Sequence, residues 1–133
     1  MQACCMNESC CRSYRDLLVW QKALTLAVAI HQVTGSFPRS ERFGLVSQLR
    51  RAAVSVPSNI AEGSARRTTR DFAAFLHVAR GSLAELDTQL LLALQVGYLD
   101  PGKHTGLVQQ VDEVGRIINA LLSGLRRRAA ASC

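Results

Sequence analysis

The chain has 133 residues, of which 48% are hydrophobic, 20% charged and 5% aromatic, a size and apolar content that suit one globular domain and exclude a wholly disordered chain. The 16 Lys and Arg exceed the 10 Asp and Glu by a net charge of +6, which favours an anionic partner, nucleic acid first. No apolar run approaches the ~20 residues that span a bilayer, and no signal-peptide pattern is present. We therefore expect a cytoplasmic protein with no membrane contact.

Residues 1–12 are rich in cysteine and poor in apolar periodicity. The cysteines of the chain are Cys4, Cys5, Cys10, Cys11 and Cys133. The first four are spaced as C-C-x4-C-C, unlike the C-x2-C pairs of zinc sites, and no histidine lies nearby. We predict that residues 1–12 are a disordered arm of reduced thiols, the alternative being an adventitious metal or an inter-chain disulfide.

Two helical patterns follow the arm. The first spans about Tyr14 to Thr34, and its predicted apolar stripe is Leu17, Trp20, Leu24, Ala27 and either Ile30 or His31. The second begins near Ser40, and its stripe is Leu45, Leu49, Ala52, Val56 and Ile60, before a C-cap at Gly63. Pro57 inside this pattern predicts a kink near residues 54–57 with the helix resuming, the alternative being that the helix ends at Val56.

Two longer patterns complete the chain. Thr68 is the predicted N-cap of the third helix, whose stripe is Phe72, Phe75, Leu76, Ala79, Leu83, Leu86, Leu90 and Leu94. The pair Asp100 and Pro101 predicts the start of the fourth, whose stripe is Leu107, Val111, Val114, Ile118, Leu121 and Leu125. Residues 127–133 are predicted to be a disordered basic and Ala-rich tail.

Four amphipathic helices with short connections predict an all-α fold. The simplest packing is an up-down-up-down antiparallel four-helix bundle over residues 13–126. Residues 127–133 and 1–12 would lie outside that single domain.

No pattern in the chain indicates an enzyme. Metal-carrying four-helix bundles of the di-iron type need E-x-x-H pairs, and the sequence has none. His31, His77 and His104 lie on three different segments, and no phosphate-binding or nucleophile motif occurs. We expect no catalytic residues, no metal and no cofactor.

A polar motif runs along the second helix. It comprises Gln48, Arg51, Ser55, Pro57, Asn59, Glu62 and Gly63. Arg51, Ser55, Asn59 and Glu62 follow steps of four, four and three, which place them along one helix face. Ser55 and Asn59 straddle Pro57 and are predicted to satisfy the carbonyl that it leaves free. We interpret the motif as a structural network around a kinked helix, with a ligand or nucleic-acid contact as the alternative. In the third helix, Gly81 and Ser82 are interpreted as a close helix–helix contact.

Several of these segments together resemble a known family. The motifs are Tyr14-x-Asp16-Leu17-x-Val19-Trp20-Gln21-Lys22-Ala23, Phe37-Pro38-x-x-Glu41-x-x-Gly44-Leu45-x-x-Gln48-Leu49-Arg50-Arg51-Ala52, Ser55-Val56-Pro57-Ser58-Asn59-Ile60-Ala61-Glu62-Gly63, Phe72-x-x-Phe75-Leu76-x-x-Ala79-x-Gly81-Ser82-Leu83-x-Glu85-Leu86 and Gly97-Tyr98-Leu99. They are similar to the four-helix-bundle proteins encoded within 23S ribosomal RNA intervening sequences. The resemblance implies a bundle that assembles into a barrel-like homopentamer. It also implies kinship with the accessory variability determinants of diversity-generating retroelements, basic pentamers that bind a reverse transcriptase and nucleic acid.

The leading functional hypothesis is a non-enzymatic homo-oligomer that binds nucleic acid, structured RNA above all, through surface arginines. The predicted contacts are Arg39, Arg42, Arg50, Arg66, Arg67, Arg70, Arg126, Arg127 and Arg128. The first six flank the second helix or begin the third, so we expect a folded hairpin to gather them. The alternative for these residues is a solvated basic surface. The rival function is a protein-interaction adaptor, for example for a reverse transcriptase, without direct nucleic-acid binding.

Apolar residues that lie off the main stripes predict self-association. In the third helix they are Val78, Leu91, Leu92 and Val96, and in the first they are Leu18, Val19, Leu26 and Ala29. A monomer that exposed all of them would carry more apolar surface than single proteins usually do. We therefore expect the oligomer to be the functional unit, with the number of five copies resting on the resemblance.

Overall fold

A computed structural model describes residues 13–132, and within them the fold is all-α with four helices and no strand. The helices are α1 (Leu18–Thr34), α2 (Leu45–Ser64), α3 (Thr69–Gln95) and α4 (Pro101–Ser132). Short 3-10 turns at Tyr14–Asp16 and Arg39–Glu41 precede α1 and α2. The predicted arm at residues 1–12, its four cysteines and Cys133 lie outside the described residues.

The four helices enclose one core. Over residues 13–132, α1 packs on α2 and α4, α3 packs on α2 and α4, and the diagonal pairs make no contact. The largest fully buried side chains come from all four helices: Leu26, Ile30, Leu49, Ile60, Leu76, Leu86, Leu90, Ile118, Val19, Val56 and Val114. Each helix thus contributes one apolar face to a shared interior.

The helix starts follow the predicted capping chemistry. The Thr68 hydroxyl accepts a hydrogen bond from the backbone N–H of Asp71 at 3.1 Å, so Thr68 caps α3. Asp100 Oδ1 accepts from the N–H groups of Gly102 and Lys103 at 2.9 and 3.3 Å. Gly97 has φ of +89°, a left-handed conformation that lets the chain turn directly after α3.

The predicted stripe of α1 is confirmed in part, since Leu17 and Trp20 pack against the core, and it is wrong at Leu24. Val19, Ala23 and Leu26 are buried, whereas Leu24 is 41% exposed and His31 is exposed. Ala27 and Ile30 are buried as predicted. The helix is apolar around most of its circumference, so periodicity alone could not select the face that packs on α2 and α4.

The stripe of α2 is confirmed, and the helix does not end at Val56. It continues through the buried Pro57 to Ser64, so the alternative ending is wrong. Asn59 Nδ2 donates to the carbonyl of Ser55 at 2.8 Å. The carbonyl that Pro57 leaves free in a helix is that of Ala53, four residues back. The predicted satisfaction of that carbonyl by Ser55 and Asn59 is therefore wrong.

The C-terminal tail is helical where we predicted disorder. The last helix, α4, continues through Arg126, Arg127 and Arg128 to Ser132, so the expectation for residues 127–133 is wrong over residues 127–132. The segment is composed of Arg and Ala, which have high helix propensity, and it extends a helix already formed. Basic composition alone was a poor indicator of disorder.

Candidate nucleic-acid interface

The predicted arginines lie in two groups at opposite ends of α2. Arg39 and Arg42 precede the helix, whereas Arg66 and Arg67 follow it. At 1.5 Å per residue its 20 residues span about 30 Å. The α2–α3 hairpin therefore does not gather the six arginines into one cluster, contrary to our expectation.

The first group of arginines lies in or close to the connection between α1 and α2. Arg39 and Arg42 are exposed, and the Arg42 guanidinium lies 5.6 Å from the ring centre of Phe43. Arg50 donates from Nε to Thr34 Oγ1 at 2.9 Å and from its terminal nitrogen to the His31 carbonyl at 3.1 Å. These bonds place a cation at the negative end of α1, which is a stabilising position. Contact of Arg50 with nucleic acid stays a prediction.

The Glu41 carboxylate links the α1–α2 connection to the α3–α4 connection. Glu41 Oε1 accepts from the N–H of Leu45 at 3.1 Å, which caps α2, and Glu41 Oε2 accepts from the Tyr98 hydroxyl at 3.0 Å. The Tyr98 ring also packs on Phe37, with centres 5.6 Å apart. The hydrogen bond to Glu41, burial and the negative charge of Glu41 raise the pKa of Tyr98 above its ordinary value.

The second group surrounds a cavity of about 590 Å³, which we call the arginine cavity. The segment before α1, the α2–α3 connection, the start of α3 and the last turns of α4 all contribute to its walls. The lining residues are Ser13, Tyr14, Leu17, Ser64, Ala65, Arg66, Arg67, Thr68, Thr69, Phe72, Leu121, Leu125 and Arg128. The lining thus holds three arginines and no carboxylate.

Arg66 and Arg67 of the arginine cavity differ in their contacts. Arg66 bonds Glu62 at 3.1 Å and lies 4.8 Å from the ring centre of Phe75. Arg67 is exposed and makes no hydrogen bond or ion pair among residues 13–132. Thr68 and Thr69 at the start of α3 add the positive end of a 27-residue helix dipole. The lining is accordingly electropositive.

The other predicted arginines of this group are exposed, and in the sequence they are next to residues that line the cavity. Arg70 lies in the first turn of α3, and Arg126 and Arg127 directly precede Arg128 on α4. Arg126 donates to Ser123 Oγ at 3.4 Å. These side chains add exposed positive charge to the two helices that contribute to the lining.

Part of the polar motif of α2 contacts α3. Ser55 Oγ and Ser82 Oγ lie 2.8 Å apart and join α2 to α3, and Asn59 donates to Ser55 Oγ at 3.0 Å. The predicted close contact is confirmed at Ser82, which is buried, but it is wrong at Gly81, which is exposed with open space around it. Gly63 meets α3 closely, since a Cβ there would lie 2.7 Å from that of Phe75.

The remaining members of the motif face outward. Gln48 is exposed and accepts a 3.5 Å contact from the buried Gln89, and Arg51 is exposed. Glu62 pairs with Arg66 rather than with Arg51. The α2–α3 contact therefore includes Gln48, Ser55 and Gly63, whereas Arg51 and Glu62 are exposed.

A second depression, of about 390 Å³, lies between α3 and α4. Arg80 and Arg116 line it together with Asp87 and Asp112, so its charges are balanced. Arg80 is also bonded to Asn119 at 3.0 Å. An anion would accordingly be attracted more strongly to the arginine cavity than to this depression.

Sequence reasoning missed the apolar and aromatic lining of the arginine cavity. Tyr14, Leu17 and Phe72 were noted only as parts of helical patterns or of the resemblance, and Leu121 and Leu125 only as core positions. No local pattern connects the segment before α1 to the end of α4. Only the fold brings them together.

No helix of residues 13–132 is long and apolar enough to cross a membrane. Over the same part of the chain, no three His, Cys, Asp or Glu side chains come together in a metal-binding group.

The fold agrees with the comparisons to known proteins. A family model described as 23S rRNA-intervening sequence protein matches residues 15–120. The chain belongs to this family, which confirms the resemblance stated from its motifs. A search of curated proteins found no match.

The fold is also found in a solved structure. It is the crystal structure, at 1.70 Å resolution, of a protein of unknown function from the S23 ribosomal protein family of Bacteroides thetaiotaomicron VPI-5482. The TM-score is 0.72 at 20% sequence identity, and the match covers 79% of this chain and 98% of that one. At this identity the likeness shows the fold alone.

Proposed function

We propose that this protein is a non-enzymatic homo-oligomer that binds nucleic acid, RNA above all, through arginines at the end of the molecule that holds the arginine cavity. The observation that carries the proposal is a lining with three arginines and no carboxylate. The planar guanidinium group of arginine forms paired hydrogen bonds with phosphate oxygens, which favours a phosphate-bearing partner.

The charge of the whole chain and its family support the same partner. The net charge of +6 attracts polyanions over the whole surface, and Arg70, Arg126 and Arg127 extend the basic region around the cavity. The family description refers to the intervening sequence of 23S rRNA. The chain carries this basic end on a rigid four-helix scaffold, which would hold several phosphate contacts in a fixed arrangement.

The proposal includes an assembly and a location. We infer an up-down-up-down antiparallel bundle, supported by the contacts of each helix with two neighbours, a homopentamer, as the resemblance implies, and a cytoplasmic location. A ring of identical subunits would repeat the arginine cavity around its rim, so that weak contacts act together.

Fluorescence anisotropy of a labelled RNA hairpin, titrated with the protein over a series of salt concentrations, tests the binding. We expect saturable binding whose affinity falls with salt, with a log–log slope of about −0.7 to −0.9 for each phosphate contacted. Absence of binding at low salt would overturn the proposal. A protein partner retained after nuclease treatment, with no binding of purified RNA or DNA, would instead establish the adaptor function.

Charge reversal tells which end of the molecule binds. The double variant Arg67→Glu/Arg70→Glu should weaken binding at least tenfold and reduce the salt slope by about 1.5, as expected from two lost phosphate contacts. Lys103→Glu/Arg116→Glu is the matched control, because it changes the net charge equally with exposed residues outside the cavity. Arg39→Glu/Arg42→Glu tests the group at the other end of α2. An equal loss in all three variants would indicate only a diffuse basic surface.

A further inference from the structure

We propose that the arginine cavity receives one unpaired nucleotide, so that the protein prefers single-stranded ends or bulges to a blunt duplex. This inference rests on the proposed function, and it specifies the form of nucleic acid that is bound. The argument depends on the size of the cavity, the nature of its walls and the placement of its charges.

The size of the cavity suits a nucleotide and exceeds what a single phosphate needs. Its volume of about 590 Å³ is within the range of about 300–1,000 Å³ typical of small-molecule pockets. Leu121 and Leu125 of α4 contribute aliphatic surface, and the rings of Tyr14 and Phe72 contribute aromatic surface. Aromatic rings are the usual surfaces on which proteins stack unpaired bases.

The charges of the lining suit the phosphates of that nucleotide. Arg66, Arg67 and Arg128 come from two different parts of the chain, and no carboxylate of the lining opposes them. A simple inorganic anion would use the arginines and leave the aromatic and aliphatic walls uncovered. An apolar ligand would use the walls and make no use of the positive charges. A nucleotide uses both, because it joins a flat base to a phosphate.

A duplex offers this cavity no base. Bases inside a helix are stacked and paired, and removing one costs free energy that an unpaired end does not require. We therefore expect duplex RNA to bind through its phosphates alone, whereas an unpaired nucleotide adds the contacts of the cavity.

The chain carries its own reporter of occupancy. Trp20 is its single tryptophan, and its ring packs edgewise on Tyr14 with centres 5.1 Å apart. Tyr14 lines the cavity. A base that binds beside Tyr14 therefore changes the surroundings of the Trp20 indole indirectly, through the Tyr14 ring. The emission of Trp20 should therefore change when the cavity is filled.

The experiment compares RNA hairpins with the same number of phosphates, each closed by a polyethylene glycol linker so that the loop offers no unpaired base. One has a blunt end, and the other two have a shorter stem with a two-nucleotide overhang, 5′ in one and 3′ in the other. We expect at least one overhang to bind about tenfold more tightly than the blunt hairpin, as expected from one stacked base, and to change Trp20 emission in a saturable way. Equal affinities with unchanged Trp20 emission would overturn this inference while the proposed function stands. Absence of binding by every hairpin would overturn both.

A blocking variant localises the effect. Ala65 is exposed and lines the cavity, so Ala65→Phe should occupy space there without disturbing the core or any charge. The variant should bind the overhang and the blunt hairpin equally. Ser40→Phe, an exposed position before α2, is the matched control and should keep the preference. Retention of the preference in Ala65→Phe would place the unpaired nucleotide elsewhere and overturn the inference.

Discussion

Gly63 is a position on α2 where α3 leaves no room for a side chain. A Cβ there would lie 2.7 Å from the Cβ of Phe75 and 3.0 Å from Cδ1 of Phe72. We expect Gly63→Ala to force the two helices apart and to lower the free energy of unfolding by about 1–3 kcal/mol, as overpacking usually does. Urea unfolding followed by circular dichroism measures the change.

Gly81 provides the opposite case on α3. It is exposed, and a Cβ there would meet nothing within 4 Å. Gly81→Ala should therefore raise the free energy of unfolding by about 0.5–1 kcal/mol, because alanine restricts the unfolded chain and favours a helix. Equal effects of the two substitutions would show that Gly63 does not set the spacing of α2 and α3.

The bond between Tyr98 and Glu41 predicts a dependence of stability on high pH. Because the pKa of Tyr98 is raised in the folded state, the folded protein retains this proton at pH values where the unfolded chain loses it. The resulting stabilisation is fully present below the unfolded pKa, near 10, and is lost as pH rises through the folded pKa. Urea unfolding of the wild type and of Tyr98→Phe across this interval measures the loss.

The two proteins should differ in slope. The stability of the wild type should decline more steeply above pH 10 than that of Tyr98→Phe, because the variant lacks the hydroxyl that titrates. Parallel declines would mean that Tyr98 does not couple to Glu41 as the 3.0 Å distance indicates.

At the scale of the helices, the buried face could be predicted only where apolar and polar residues occupy clearly different faces of the helix. In α2 the apolar residues occupy one face and polar residues the others, so Leu45, Leu49 and Ile60 were correctly placed in the core. In α1 both Leu24 and Leu26 suit a core position, and only packing selects Leu26. The burial of Pro57 inside a continuous helix likewise reflects tertiary packing, which outweighs its local preference.

The end of α4 allows a prediction at the scale of one helix. Residues from Arg126 to Ala131 are exposed, and the last buried side chain of α4 is Leu125. Deletion of residues 127–133 should therefore change the free energy of unfolding by less than about 0.5 kcal/mol. The far-UV circular dichroism signal should decrease, because residues 127–132 are helical, and RNA affinity should fall with the loss of Arg127 and Arg128.

An unchanged far-UV signal after this deletion would contradict the helical assignment of residues 127–132. A large loss of stability would show that this segment makes stabilising contacts, within its own chain or with another subunit. The double substitution Arg127→Ala/Arg128→Ala is the matched control, because it removes the charges and keeps a strong helix former at each position.

At the scale of the whole molecule, the sequence predicted the charges of the candidate site and not its shape. The arginines were evident from composition and spacing. The cavity was not, because Tyr14 and Leu125 are 111 residues apart and meet only in the folded chain. The division of the arginines into two groups has the same origin, since the length of α2 separates Arg42 from Arg66.

Exposed apolar side chains remain on the folded chain. Those expected on α3 are confirmed as exposed: Val78, Leu91, Leu92 and Val96 are between 46% and 52% exposed. On α1 the expectation holds for Leu18, at 56%, and is wrong for Val19 and Leu26, which are buried in the monomer, while Ala29 is half-buried. Phe43, at 90%, was not foreseen. Leu24 and Val28 of α1 are exposed as well, at 41% and 48%, so both α1 and α3 present apolar surface for self-association.

We predict that the subunits associate through the exposed apolar side chains of α3. This contact would form the oligomer that the proposed function requires. Val78 and Leu92 of α3 and its C-cap residue Val96 are separated by 14 and four residues, steps close to whole helical turns, so they lie along one side of the helix. Burial of that side between subunits stabilises an assembly by about 25 cal/mol for each Å² of apolar surface, before the costs of association. Light scattering coupled to gel filtration should give a mass of about five times 14.5 kDa for the wild type.

Leu92→Glu places a charge in the middle of this surface and should shift the mass toward that of the monomer. Ala120→Glu, at an exposed position of α4, adds the same charge elsewhere and should leave the mass unchanged. Because separate subunits cannot act together on one RNA, Leu92→Glu should also weaken RNA binding, although it lies outside the arginine cavity. A wild-type monomer of 14.5 kDa at micromolar concentration would refute the assembly, and each arginine cavity would then have to bind RNA alone.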